Sequence, residues 1–131
     1  MVIDTSALIA ILLKETEAEK FAKAILHDSK RLLSAFSALE TSVVIEARKG
    51  ENGKKELDKL LHLTKIEIVE MNAQQVQFGL EAWQKFGKGH HPAKLNLGDC
   101  CSYALAKYSN EPLLFKGNDF SKTDIKTVEF K

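Results

Sequence analysis

A β-branched apolar pair, Val2 and Ile3, runs directly into Asp4-Thr5-Ser6, the pattern of a strand handing over to a helix. Residues 5–13 are apolar all round, so the helix they predict should be buried. Within 15–27, Ala18, Phe21, Ala22, Ile25 and Leu26 recur at helical spacing with charges between them. Residues 31–35 read as a second short strand, 37–48 and 51–63 as third and fourth helices, and 66–70 as a third strand. Residues 73–86 predict a long amphipathic helix. Another spans 97–108, with Cys101, Ala104, Leu105 and Tyr108 on one apolar stripe. A fourth strand at 113–116, a turn or helical turn at 118–122 and a terminal strand at 127–130 complete the pattern.

Short apolar strands alternating with helices imply an α/β fold, a three-layer α/β/α arrangement around a mainly parallel sheet. At 131 residues the chain suits one domain spanning 1–131. Its 44% apolar and 28% charged residues describe an ordinary globular protein. The apolar run at 7–13 is far below the roughly 20 residues that span a bilayer, and it lacks the basic start of a signal peptide. No membrane association and a cytoplasmic location are therefore expected. Cys100 and Cys101 are adjacent in a helical pattern, a poor geometry for a mutual disulfide, and read as reduced core thiols. A net charge of +1 points to no partner class, so any nucleic-acid contact must come from a local patch such as the basic, Gly-rich stretch 85–94.

In open parallel sheets ligands bind outside the carboxyl ends of the strands, which directs attention to Asp4 and Asp119. Each has a structural alternative: Asp4 as a helix N-cap, Asp119 in a Gly-Asn-Asp turn. Asp99, three residues after Asn96, suits the start of a helix. Glu40 shares a helical row with Phe36, Val43, Val44 and Ala47 and so is expected at a buried position. A buried carboxylate needs a partner, here a salt bridge to Arg48 or a lysine, or else a cation. Four converging carboxylates, their oxygens roughly 5 Å apart, would repel by about 3 kcal/mol per pair at an effective dielectric near 20. An all-oxygen donor set without Cys or His at zinc spacing favours Mg²⁺, with Mn²⁺ as substitute, to offset that repulsion. His90 and His91 are adjacent on a Gly/Pro loop and are not read as ligands. Such a site suits phosphodiester hydrolysis. The chain has no G-x-S-x-G elbow, Walker-type phosphate loop or G-x-G-x-x-G fingerprint.

Four blocks carry a resemblance that runs nearly end to end: Val2-Ile3-Asp4-Thr5-Ser6-Ala7-Leu8, Ser37-Ala38-Leu39-Glu40, the stretch from Gly87 through Asp99 to Cys100, and Leu113 through Asp119 to Phe120. Together they resemble a PIN-domain ribonuclease, specifically a VapC-type toxin of bacterial type II toxin–antitoxin systems. The resemblance implies Mg²⁺-dependent endonucleolytic cleavage of RNA. It makes Asp4 and Asp99 direct metal ligands, has Glu40 and Asp119 complete the acidic pocket, and gives Ser6 the role of a hydroxyl supporting Asp4. It further implies a cognate antitoxin and toxin homodimers within that complex. Lys88, Lys94 and Lys116 are candidate phosphate contacts, and Arg48 a contact for RNA or antitoxin. A haloacid-dehalogenase-type phosphatase would require a second Asp where Ser6 stands, and a receiver domain an Asp where Asn72 follows the third strand. A non-catalytic binding module would lack motif acids, and none is missing.

Overall fold

The computed structural model describes residues 1–130. Four strands, β1 (Val2–Ile3), β2 (Leu32–Ser34), β3 (Glu67–Val69) and β4 (Leu113–Leu114), form one sheet in the order β3-β2-β1-β4. Every pairing is parallel. Five helices connect them: α1 (Thr5–Leu12), α2 (Ala18–His27), α3 (Ala35–Leu63), α4 (Ala73–Phe86) and α5 (Leu97–Ser109).

Successive side chains on a strand point to opposite faces, and this alternation divides the core in two. Ile3, Leu33 and Leu114 enter one half with Leu8 of α1, Phe21 and Ile25 of α2, and Ile45 and Leu57 of α3. Val2, Leu32 and Leu113 enter the other with Ala82 of α4 and Cys100, Tyr103 and Leu105 of α5. The result is the expected α/β/α sandwich. Continuing the alternation one step past Ile3 puts Asp4 on the α5 side of the sheet.

Several boundaries differ from the pattern-based expectation, each for a local reason. α2 begins at Ala18 rather than at residue 15, because Lys14 adopts a left-handed conformation (φ 55°) and the Glu15 amide closes α1 by bonding the Ala10 carbonyl at 2.9 Å. The expected break between the third and fourth helices falls at Gly50, whose φ of 65° and ψ of −153° interrupt α3. Glycine adopts that conformation without steric cost. The predicted terminal strand is reduced to one parallel bridge, Leu113 with Thr127. Beyond it Val128 packs against the core of α1, α2 and α3, and the Phe130 ring lies 6.0 Å from that of Phe21. Tyr108, placed on the buried stripe of α5 by spacing, is 47% exposed, whereas Cys100 through Ala106 are all buried. Among the described residues no helix is long and apolar enough to cross a membrane. Cys100 and Cys101 are free and buried, and burial pushes both thiols up to about 11.

Candidate active site

Asp4 is the N-cap of α1 and is only 5% exposed, so the side chain expected in the site also caps a helix. Its Oδ2 accepts from the Ser6 amide at 3.0 Å and from the Ser6 hydroxyl at 2.6 Å. Its Oδ1 accepts from the hydroxyl of Ser102 on α5 at 2.6 Å. Hydrogen bonds of this kind are what make a buried carboxylate tolerable. Ser6 Oγ also accepts from the Lys116 amide at 2.9 Å, which ties the end of β4 to the Asp4 carboxylate.

Asp99 likewise does two things. With Asn96 it closes a capping box at the start of α5: the Asp99 amide donates to Asn96 Oδ1 at 2.9 Å, and the Asn96 amide donates to Asp99 Oδ2 at 3.0 Å. Burial, together with the charges of Asp4, Asp119 and Glu40, raises its carboxyl to about 6, against the opposing hydrogen bond from Asn96. Asp99 is therefore near enough to the other three acids to feel their charges. The four do not form a closed cage, since among the described residues no three His, Cys, Asp or Glu side chains are arranged to share an ion. The oxygens of Asp4 are turned to serine hydroxyls, one oxygen of Asp99 is turned to Asn96, and like charges repel.

Glu40 reaches the site by a route other than the one its spacing suggests. The inward row of α3 is Ser37, Thr41 and Ile45. Val43, on the row of Glu40, is 59% exposed, so Glu40 lies half-buried on a flank and not in the core. No Arg48 or lysine ion pair holds it among the described residues. It packs against Gly98, where a β-carbon would stand 2.7 and 2.9 Å from the two carboxylate oxygens. The glycine before Asp99 thus makes room for the acid from α3. Gly98→Ala should leave the melting temperature within a few degrees of wild type, because the neighbour is the end of a flexible side chain. Any reaction that uses Glu40 should slow about tenfold as that side chain is displaced; an unchanged rate would remove Glu40 from the chemistry.

Asp119 is exposed, on a strap after β4 that leaves through Gly117 (φ 104°) and is pinned by buried Phe120. The Tyr103 hydroxyl bonds Asp124 at 2.5 Å and secures the far end.

Of the basic residues, Lys88, Lys94 and Arg48 are exposed. The ammonium of Lys116, expected to contact phosphate, pairs here with Glu15 at 2.8 Å and with Glu17 at 3.7 Å. His90 and His91 stack edge-on against Trp83 and Phe86, at 4.4 and 5.1 Å between ring centres. Beside the acids runs an apolar groove of about 420 Å³ between α4 and α5, lined by Val76, Leu80, Trp83 and Leu97 among others. Spacing alone singled out neither Ser102 nor Gly98. The one available signal was that Ser102 lies three residues after Asp99, on the same helix face.

A parallel sheet between two helical layers, with acids gathered at the carboxyl ends of its strands, is the framework of a PIN domain, and the PIN-domain family model matches residues 1–126. The chain belongs to that family, in its VapC branch. It is 54% identical over 128 residues to Ribonuclease VapC30 of Mycobacterium tuberculosis, covering 98% of each chain. To Ribonuclease VapC of Mycolicibacterium smegmatis it is 51% identical over 128 residues, covering 98% of this chain and 99% of the relative. Among solved structures it shares its fold with VapC20 of Mycobacterium tuberculosis, described as a Sarcin-Ricin loop cleaving toxin, at a TM-score of 0.77 and 15% identity, covering 98% of both chains. VapBC2 from Rickettsia felis, bound to a DNA fragment from their promoter, matches at a TM-score of 0.76 and 16% identity, covering 99% of this chain and 98% of the other.

Proposed function

We propose that this chain is a divalent-metal-dependent endoribonuclease, the toxin of a toxin–antitoxin pair. Its relatives at 51–54% identity over nearly the whole chain are named ribonucleases. The observation that carries the metal dependence is the placing of Asp99, half-buried, beside the buried Asp4 and within reach of the charges of Glu40 and Asp119. A hard cation offsets that combination, and the donor set, all oxygen, fits Mg²⁺ or Mn²⁺. Asp4 and Asp99 would hold the ion, with Glu40 and Asp119 completing the pocket. When bound, such an ion supplies Lewis acidity to the scissile phosphate and makes water a competent nucleophile near neutral pH.

The remaining work falls to the chain itself. Ser6 and Ser102 hold Asp4, and the capping box fixes one oxygen of Asp99 while the other stays available. Lys88 and Lys94, on the exposed loop leading into α5, receive backbone phosphates of the RNA. Arg48 lies eight residues beyond Glu40 on α3, about 12 Å along the helix axis, and meets RNA or antitoxin away from the cut. The apolar groove beside Leu97 supports a protein partner, since exposed apolar patches mark such surfaces; the antitoxin is the partner assigned to it.

The test is incubation of purified, antitoxin-free protein with end-labelled RNA in Mg²⁺, in Mn²⁺ or in EDTA. Cleavage is expected with either ion and absent in EDTA, returning when Mg²⁺ is restored in excess. Cleavage that persists in EDTA would overturn the mechanism.

A further inference from the structure

Serine and threonine hydroxyls inside helices usually bond back to the carbonyl four residues earlier. Thr41, Ser42, Thr64 and Ser109 all do so here, at 2.6 to 2.8 Å. Ser102 does not. Fully buried in an otherwise apolar stretch of α5, it donates across to Asp4 Oδ1 at 2.6 Å. Behind it stands the Ser37 hydroxyl of α3, equally buried, at 3.2 Å. A hydroxyl has one proton, and that of Ser102 is given to Asp4, so Ser37 must be the donor to Ser102. Three elements distant in sequence thus meet in one directed chain, Ser37 to Ser102 to Asp4.

An ionised carboxylate offers about four lone-pair positions. On Asp4 the Ser6 amide and hydroxyl occupy those of Oδ2, and Ser102 occupies one of Oδ1. One position on Oδ1 remains. We propose that Ser102, backed by Ser37, is a positioning residue that restricts Asp4 to one-point ligation of a divalent cation through Oδ1. The proposal rests on the reading of the acids as a cation site. Partners that orient a metal ligand typically govern 10- to 100-fold in affinity or activity, and Ser102 occupies such a position.

The experiment compares wild type with Ser102→Ala, Ser37→Ala and the double variant. Mn²⁺ binding is followed by electron paramagnetic resonance of the free ion, and melting temperature is measured in EDTA. Ser102→Ala should weaken Mn²⁺ binding about tenfold or more and raise the Mg²⁺ concentration for half-maximal RNA cleavage in parallel, with the KM for RNA unchanged. Ser37→Ala should show a smaller loss. The double variant should bind no worse than Ser102→Ala, because Ser37 acts only through Ser102. A role confined to packing would lower the melting temperature in EDTA and leave Mn²⁺ affinity within twofold of wild type, which overturns the proposal. Additive losses would overturn the relay from Ser37. Wild-type protein that binds no Mn²⁺ would instead take down the cation site itself.

Discussion

Asp99→Asn should slow RNA cleavage at saturating Mg²⁺ by two orders of magnitude or more, about 3 kcal/mol of transition-state stabilisation at 1.36 kcal/mol per tenfold. The protein should nevertheless melt in EDTA no lower than wild type. Both results follow from the two tasks of this side chain. An Asn carbonyl oxygen still accepts from the Asn96 amide, so the start of α5 stays capped. What disappears is the charge, which burial and the neighbouring acids oppose in the free protein and which a cation requires. Asp99→Ala should differ by also losing the cap, at a cost of about 1 kcal/mol. Single-turnover cleavage and thermal melts of the same preparations separate the two effects. An Asp99→Asn enzyme that keeps more than a tenth of the wild-type rate would sink the assignment.

The second large effect is the pH dependence of the metal-free fold. Asp99 titrates near 6 when folded, against an ordinary value of 3.8, so the folded state holds its proton more tightly than the unfolded chain. Its contribution to stability is therefore complete below about pH 4 and lost as pH rises through 6. In EDTA, the melting temperature of wild type relative to Asp99→Asn should fall by several degrees between pH 4.5 and pH 7. Millimolar Mg²⁺ should restore the difference at pH 7, because binding to the folded state alone stabilises it. It should do little at pH 4.5, where the ion competes with a proton. A difference that is flat with pH in EDTA would mean that burial and the neighbouring charges do not raise the Asp99 carboxyl.

Much of the scaffold is written in local periodicity. Val2-Ile3, Leu32-Leu33 and Leu113-Leu114 alternate between the two cores as strand geometry requires, and Gly50 marks the break in α3. Local pattern fails where a contact between distant elements decides the outcome. The spacing of Glu40 with Val43 and Val44 points to a buried row, yet that row flanks the domain and Gly98 provides its place. Lys116 is three residues from Asp119 in sequence, but folding brings Glu15 and Glu17 of the α1–α2 turn to it. Ser102 sits 98 residues from Asp4, and no short-range rule connects them. Asp4 and Asp99 had capping roles that periodicity could see, and the structure shows those roles made by the same carboxylates that the motif context places in the site.

The strap that carries Asp119 has a different standing from the rest of the site. Asp4, Glu40 and Asp99 rise from elements packed into the sheet or its covering helices, so their fate is that of the global fold. Asp119 lies on a strap held by the buried Phe120 ring against Phe115, by Ile125 packed partly against the same core, and by the Tyr103–Asp124 hydrogen bond. An exposed segment outside the helices and strands opens at lower free energy than the core as a rule. Hydrogen exchange is therefore expected to be faster at the amides of the strap around Asp119 than at those of β1 and α5, which would separate the fourth acid from the other three in the order of local opening.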